Sequence, residues 1–343
     1  MRILLLSDTW RPQVNGVVRT LTTLETELAR QGHVPRFITP AGRPSIPIPG
    51  YKELRMAFIR PTEVGREIDA FAPDAIHIAT EGPMGLAARS WCLRKNLDFT
   101  TGFHTRYPEF AEAMYGIPGI RQSLYAGLRW FHRPSRGIMV PTPSVADALR
   151  RRGFENLRVW NRGVDIELFH PGSKDVLKLP RPIFVCAGRV AAEKGLEDFL
   201  ALKLPGSKIV IGDGPLLEKL RSEHPEVHFT GYLFNGAYAQ TLAAADVFVF
   251  PSRNDTFGLV MLEALACGVP VAAYPVPSPV DVIEDGVCGC LDSDLERAAM
   301  RALGIDPAAC RRYAEARPWS AVARRFIELI VPCGRRSSPA SGL

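Results

Sequence analysis

Residues 251–273 read PSRNDTFGLVMLEALACGVPVAA. The stretch is entered from the apolar run DVFVF, residues 246–250, and leaves into VAAY, residues 271–274. Between them lies a turn with helix-start character, then a run dense in Leu, Ala and Met. Strand, turn, helix and strand in that order form one unit of a parallel sheet covered by helices. Seven residues separate Asp255 from Glu263. If that span is helical, its eight steps rise about 12 Å and turn about 80° beyond two full turns. Both carboxylates then line one wall, with backbone N–H groups between them. Such a wall suits an anionic ligand with hydroxyls at both ends, and a nucleotide-sugar is one. The competing reading makes Asp255 a helix cap and Glu263 incidental. Glu263 is set among apolar neighbours, where a carboxylate needs a partner.

Outward from this stretch the same alternation fills the chain. In the second half, strands are expected at 183–187, 208–211, 227–230, 246–250 and 271–274. In the first half they are expected at 3–7, 34–39, 74–79, 98–103, 137–141 and 157–160, with helices at 17–31 and 83–95. Residues 170–182 are rich in breakers and read as a linker. The expected architecture is α/β: two Rossmann-like, doubly wound domains facing across a cleft. The boundaries are 1–168 and 169–316 for the two domains, followed by a terminal helix, 317–332, and a disordered tail, 333–343. Ligands of such sheets bind beyond the carboxyl ends of the strands.

The strand ends therefore supply the candidate residues. Asn15, Gly16 and Val17 open the first helix, where glycine permits close approach and the helix start favours an anion. Arg189 and Lys194 flank the equivalent turn of the second domain, as a planar fork and a mobile point charge fit to neutralise a diphosphate. Gly212-Asp213-Gly214-Pro215 reads as a structural turn. His104 and Glu81 end strands of the first domain, which places them at the cleft edge by position alone. Asp292-Ser293-Asp294 has the Asp-x-Asp spacing of metal-dependent sugar transferases, but it precedes a helix and reads as its cap. No other cluster has metal-ligand spacing, so no catalytic metal and no cofactor are expected. Arg121, Arg129 and Arg133 recur at fourfold spacing beside Tyr125 and Trp130. A basic, aromatic-flanked helix can lie on an anionic bilayer, although a solvated face has the same pattern.

Of 343 residues, 46% are hydrophobic and 23% charged, the composition of a globular protein. No apolar run is long enough to span a membrane, and the apolar start is too short for a signal peptide. Seven scattered cysteines read as reduced thiols, which suggests a cytoplasmic protein, peripheral on the inner membrane if the basic helix binds lipid. The net charge of +6 favours anionic partners. No stripe of interleaved cations and stacking aromatics points to nucleic acid.

Several stretches together resemble the retaining glycosyltransferases of family 4, which have the GT-B fold. They are SDTWRPQVNGVVRT, GFHTRYPEF, NRGVDIELFHP, GRVAAEKG, GDGPLLEKL and PSRNDTFGLVMLEALACGVPVAAYPV. The resemblance runs from residue 1 to about residue 330, and the last stretch is the family's E-x7-E signature with Asp255 replacing the first Glu. It implies that Arg189 and Lys194 hold the diphosphate, that Glu263 binds the ribose, and that Asp255 holds hydroxyls of the transferred sugar. It also implies that His104 touches the reacting sugar, that 1–168 is an acceptor-binding domain and 169–316 a nucleotide-sugar-binding domain, and that the terminal helix 317–332 crosses back to the first domain. The Gly16 loop and the N–H groups around Phe257, Gly258 and Leu259 would contact the donor. Within the family the chain is similar to bacterial glycolipid synthases, including diacylglycerol glycosyltransferases, and to GDP-mannose-dependent mannosyltransferases. The expected reaction moves a hexose from UDP-glucose, UDP-glucuronate or GDP-mannose to a lipid. Other readings are a soluble transferase acting on a polysaccharide or small molecule, and a non-catalytic sugar-binding relic.

Overall fold

A computed structural model describes residues 1–13, 15–48 and 51–334. The chain forms two compact units. The first comprises Met1–Pro108, Gly119–Asn161 and the residues from Ser320 onward; the second comprises Glu109–Pro118 and Arg162–Trp319.

The first unit is built on a six-stranded parallel sheet. Its strand order is Val34–Ile38, Arg2–Leu6, Ala75–Ile78, Thr100–Gly102, Ile138–Val140, Leu157–Val159. Ile3, Leu4, Leu5 and Leu6 are all fully buried, because helices cover both faces and no alternate position sees water. Leu4 and Leu6 pack with Ile76 and Ile78 against Val64, Ile68 and Met84 of the flanking helices. The terminal helix Trp319–Leu329 docks on this unit from Ser320 onward. Trp160 donates its indole N–H to the Val322 carbonyl at 3.0 Å, and Gln31 donates to the Ser320 carbonyl at 2.9 Å.

The second unit is also a six-stranded parallel sheet, in the order His228–Gly231, Ser207–Ile211, Ile183–Ala187, Val247–Phe250, Val271–Ala273, Gly289–Leu291. Its strands alternate between two cores. Val185, Ile209 and Phe248 face Leu242, Leu262 and Leu265, whereas Phe184, Val210 and Val249 face Phe199, Leu220 and Ala299.

In each sheet the winding reverses beside the unit's first strand. The reversal lies between Arg2–Leu6 and Ala75–Ile78 in the first unit, and between Ile183–Ala187 and Val247–Phe250 in the second. Such switch points open a crevice at the strand ends.

Two elements were not expected. A two-stranded antiparallel sheet pairs Ser45–Ile48 with Tyr51–Ala57, and Gly289–Leu291 adds a sixth strand to the second sheet. Two residues assigned to the tail, Cys333 and Gly334, are hydrogen-bonded into the first unit. Cys333 N–H bonds the Asp74 carbonyl at 2.6 Å, and the Gly334 carbonyl accepts from Asp98 N–H at 3.1 Å. The rest of the expected tail, 335–343, lies outside the described residues.

Candidate active site

At the second switch point, two loops leave adjacent strands. The loop after Ile183–Ala187 carries Arg189 and Lys194; the loop after Val247–Phe250 carries Asp255. Lys194 Nζ donates to Asp255 Oδ1 at 2.6 Å. The two side chains are 31% and 19% exposed. An ion pair with this access to water adds at most about 1 kcal/mol to stability, so its importance is where it places the two charges. Arg189 sits in the same strand-end loop, partly buried.

The helix following Asp255 is shorter than the sequence suggests. It spans Leu259–Ala266, and Gly258 precedes it with φ 74°. A Cβ on Gly258 would meet Met261 Cε at 2.8 Å and Phe250 Cζ at 2.9 Å, so the left-handed turn needs glycine. Asp255 therefore lies in the loop, neither a cap nor on the helix. The 12 Å helical span drawn from its spacing to Glu263 does not apply. No side chain caps the helix start at Gly258. The Phe257 ring is buried in the core, and its carbonyl accepts the Ser278 hydroxyl at 2.6 Å. Ser278 is fully buried with φ 89°, a strained value for a residue with a Cβ.

Glu263 is 3% exposed, and its Oε2 accepts the Tyr238 hydroxyl at 2.9 Å. Tyr238 is the kind of partner that a carboxylate in an apolar helix requires. Neither Tyr238 nor Ser278 carried a signal in the sequence, since Tyr238 comes from the Asn235–Ala243 helix and Ser278 from the turn before Pro279–Val282.

At the first unit's switch point, Asp8 follows the first strand. Its carboxylate accepts the Met84 N–H at 2.7 Å, the Gly85 N–H at 3.3 Å and the Thr80 hydroxyl at 2.7 Å. It thus holds the start of the Pro83–Arg94 helix. Burial pushes its pKa above the ordinary carboxylate value, against the lowering pull of those hydrogen bonds. Beside it, Glu81 Oε1 faces His132 Nε2 at 3.2 Å, and His132 Nδ1 faces the Thr101 hydroxyl at 2.9 Å. His104 is 9% exposed, with its ring 6.2 Å from that of Trp160.

At the Gly16 helix start, Asn15 Oδ1 accepts the N–H groups of both Val17 and Val18 at 3.0 Å and caps the helix.

Residues 14–168 match the family Glycosyltransferase Family 4, and residues 181–304 match Glycosyl transferases group 1. A GDP-mannose-dependent alpha-mannosyltransferase of Mycolicibacterium smegmatis is 30% identical, the match covering 99% of this chain and 100% of that one. An alpha-monoglucosyldiacylglycerol synthase of Streptococcus pneumoniae is 29% identical over 90% of this chain and 79% of that one. In three dimensions the chain resembles the sucrose-phosphate synthase of Thermosynechococcus elongatus. The TM-score is 0.74 at 21% identity, covering 96% of this chain and 98% of that one.

The chain belongs to glycosyltransferase family 4. It is a glycosyltransferase with two parallel-sheet units of GT-B type. Within this member of the family, Lys194 and Asp255 are in contact, while Arg189 and Glu263 stand on the same and the following element. Asn15, Gly16, Glu81 and His104 belong to the first unit.

Asp294 caps the Leu295–Ala302 helix through the Arg297 N–H, and the Asp292 carboxylate is taken by the Arg297 guanidinium. Among the described residues, no helix is long and apolar enough to cross a membrane.

The basic stripe on the Ile120–His132 helix is not an open face. Tyr125 within it is buried, and Arg129 donates to the Arg152 carbonyl at 3.1 Å. Arg133 and Trp130 remain exposed, and the Trp130 ring lies 3.9 Å from the Arg89 guanidinium. The fourfold spacing follows one line of the helix, and that line turns partly into the fold.

Proposed function

We propose that this family 4 member moves a hexose from a nucleotide-sugar to a lipid acceptor, retaining the anomeric configuration without a metal. The Lys194–Asp255 contact at the second switch point carries the reading. It sets a cation for the diphosphate against a carboxylate for sugar hydroxyls. Arg189 and Lys194 neutralise the charge that appears on the diphosphate as the anomeric C–O bond breaks. The open start of the Leu259–Ala266 helix adds N–H groups around Phe257 and Gly258. Glu263, held by Tyr238, takes the ribose hydroxyls. The acceptor hydroxyl attacks the face the diphosphate leaves, and its proton passes to the departing phosphate oxygen. His104 touches the reacting sugar, and Glu81 meets the acceptor hydroxyl. The first unit serves the acceptor and the second the donor.

The lipid acceptor rests on relatives such as the alpha-monoglucosyldiacylglycerol synthase and on the exposed Trp130 and Arg133. The relatives divide over the sugar, one using GDP-mannose and another transferring glucose. A thermal-shift panel of UDP, GDP, UDP-glucose, UDP-glucuronate and GDP-mannose tests the donor, since a ligand bound only by the native state raises the transition. The matching radiolabelled sugar is then offered to vesicles of diacylglycerol in phosphatidylglycerol. Selective stabilisation by one base and label in the lipid phase are expected. Label transferred only to soluble glycans would overturn the lipid acceptor. No shift with any nucleotide would overturn the donor site.

A further inference from the structure

Beside the Lys194–Asp255 contact, the same two segments meet a second time. Asp198 stands on the Leu196–Ala201 helix, directly after the Lys194 turn, and Arg253 stands in the loop that leads to Asp255. Arg253 Nη2 donates to Asp198 Oδ2 at 3.3 Å. Tyr274, just past the Val271–Ala273 strand, donates its hydroxyl to that same oxygen at 2.8 Å. The Arg253 guanidinium lies 3.5 Å from the centre of the Tyr274 ring. That ring is 6% exposed and packs in the core, so it is a fixed platform. Between the two bridges the backbones press together. Gly195 has φ 64°, and a Cβ there would meet the Pro251 carbonyl at 2.9 Å.

Stability does not explain this arrangement. The Asp198 and Arg253 side chains are 43% and 53% exposed, where an ion pair contributes little. Geometry does. A lysine is a flexible point charge, and its position relative to Asp255 depends on how the 192–198 segment is held against the 251–255 loop. One oxygen of Asp198 receives a hydrogen bond from each of two side chains, one rooted in the core and one in the Asp255 loop. Burial, then the bond to Asp198, pushes the Tyr274 hydroxyl above its usual range, so it remains a donor.

We propose that Tyr274, Asp198 and Arg253 form a positioning cluster that sets Lys194 and Asp255 at the spacing required to bind the donor diphosphate. The cluster touches no substrate and acts through those two residues. The proposal rests on the donor site described under Proposed function.

Isothermal titration of UDP, GDP and inorganic pyrophosphate tests it on the full chain, alongside the melting temperature of each variant. Tyr274→Phe keeps the ring and loses the hydroxyl; Asp198→Ala loses the acceptor; Asp198→Asn keeps an oxygen for both donors. Tyr274→Phe and Asp198→Ala should each weaken binding of the preferred nucleotide and of pyrophosphate about tenfold. The double variant should be no worse than either single, as for residues acting as one unit. Asp198→Asn should stay within about twofold of wild type, and melting temperatures should not follow the affinities. Unchanged affinity in Tyr274→Phe and Asp198→Ala, or losses that track melting temperature, would overturn the cluster while leaving the donor site standing. Wild-type protein that binds none of the three ligands would remove the donor site, and the cluster with it.

Discussion

At the scale of single residues, the proposed chemistry rests most on Lys194. It stands at a sheet's switch point, 2.6 Å from the Asp255 carboxylate and in the same strand-end loop as the partly buried Arg189. Lys194→Ala should lower kcat by about 10²–10³-fold, the usual cost of removing one preorganised charge-stabilising group. Circular dichroism should be unchanged and melting temperature nearly so, because an ion pair this accessible to water contributes at most about 1 kcal/mol. Steady-state kinetics with the preferred donor checks this, and undiminished turnover would take Lys194 out of the mechanism. The candidates Lys194, Asp255 and Glu263 were legible because strand ends and a glycine turn mark where such residues stand. Their partners were not. Tyr238 lies outside every quoted motif and Ser278 just past the last one, and only packing brings them to Glu263 and Phe257.

At the scale of elements, the Pro83–Arg94 helix shows how a carboxylate is spent on structure. Asp8 binds two of its first N–H groups and the Thr80 hydroxyl. The folded chain holds the Asp8 proton more tightly than the unfolded chain, whose carboxyl has its ordinary pKa near 3.8. This contribution is therefore fully present below that value and is lost as pH rises through the raised folded pKa. Asp8→Asn has no such titration. Between about pH 4 and about pH 7, wild type should lose stability relative to Asp8→Asn, measured by urea denaturation at each pH. A constant difference would mean that burial does not dominate at Asp8. Most strands were readable as short apolar runs, because both sheet faces are buried. The hairpin Ser45–Ile48 with Tyr51–Ala57 was not. Pro47 reads as a breaker, yet a two-stranded sheet consists only of edges, where proline is tolerated. Gly289–Leu291 was missed because three residues, one of them glycine, carry too little pattern.

At the scale of the whole molecule, the cysteines report on integrity. Six of the seven are buried and Cys333 is intermediate. Burial pushes the thiols of Cys186, Cys267 and Cys310 up to about 12, and those of Cys288 and Cys333 to about 11. Only the thiolate reacts quickly. At about pH 8 the folded chain should therefore react slowly with a thiol reagent, with Cys333 first, and all seven should react in denaturant. Peptide mapping of the label identifies the order; rapid native labelling of Cys186 would contradict the burial beside Lys194. By itself the sequence determined the alternation of strands and helices, the two doubly wound units and the family. The alternation and the two units depend on hydrophobic period and glycine turns, and the family on the likeness of its quoted motifs, all of which are local. Only the tertiary structure decided which residues meet. Lys194 reaches Asp255 because the crossovers make Ile183–Ala187 and Val247–Phe250 neighbours. Asn15 takes the N–H groups of its own helix, and Arg129 turns toward a carbonyl of the fold. Spacing along a chain cannot show such contacts, because strand order in the sheet sets them.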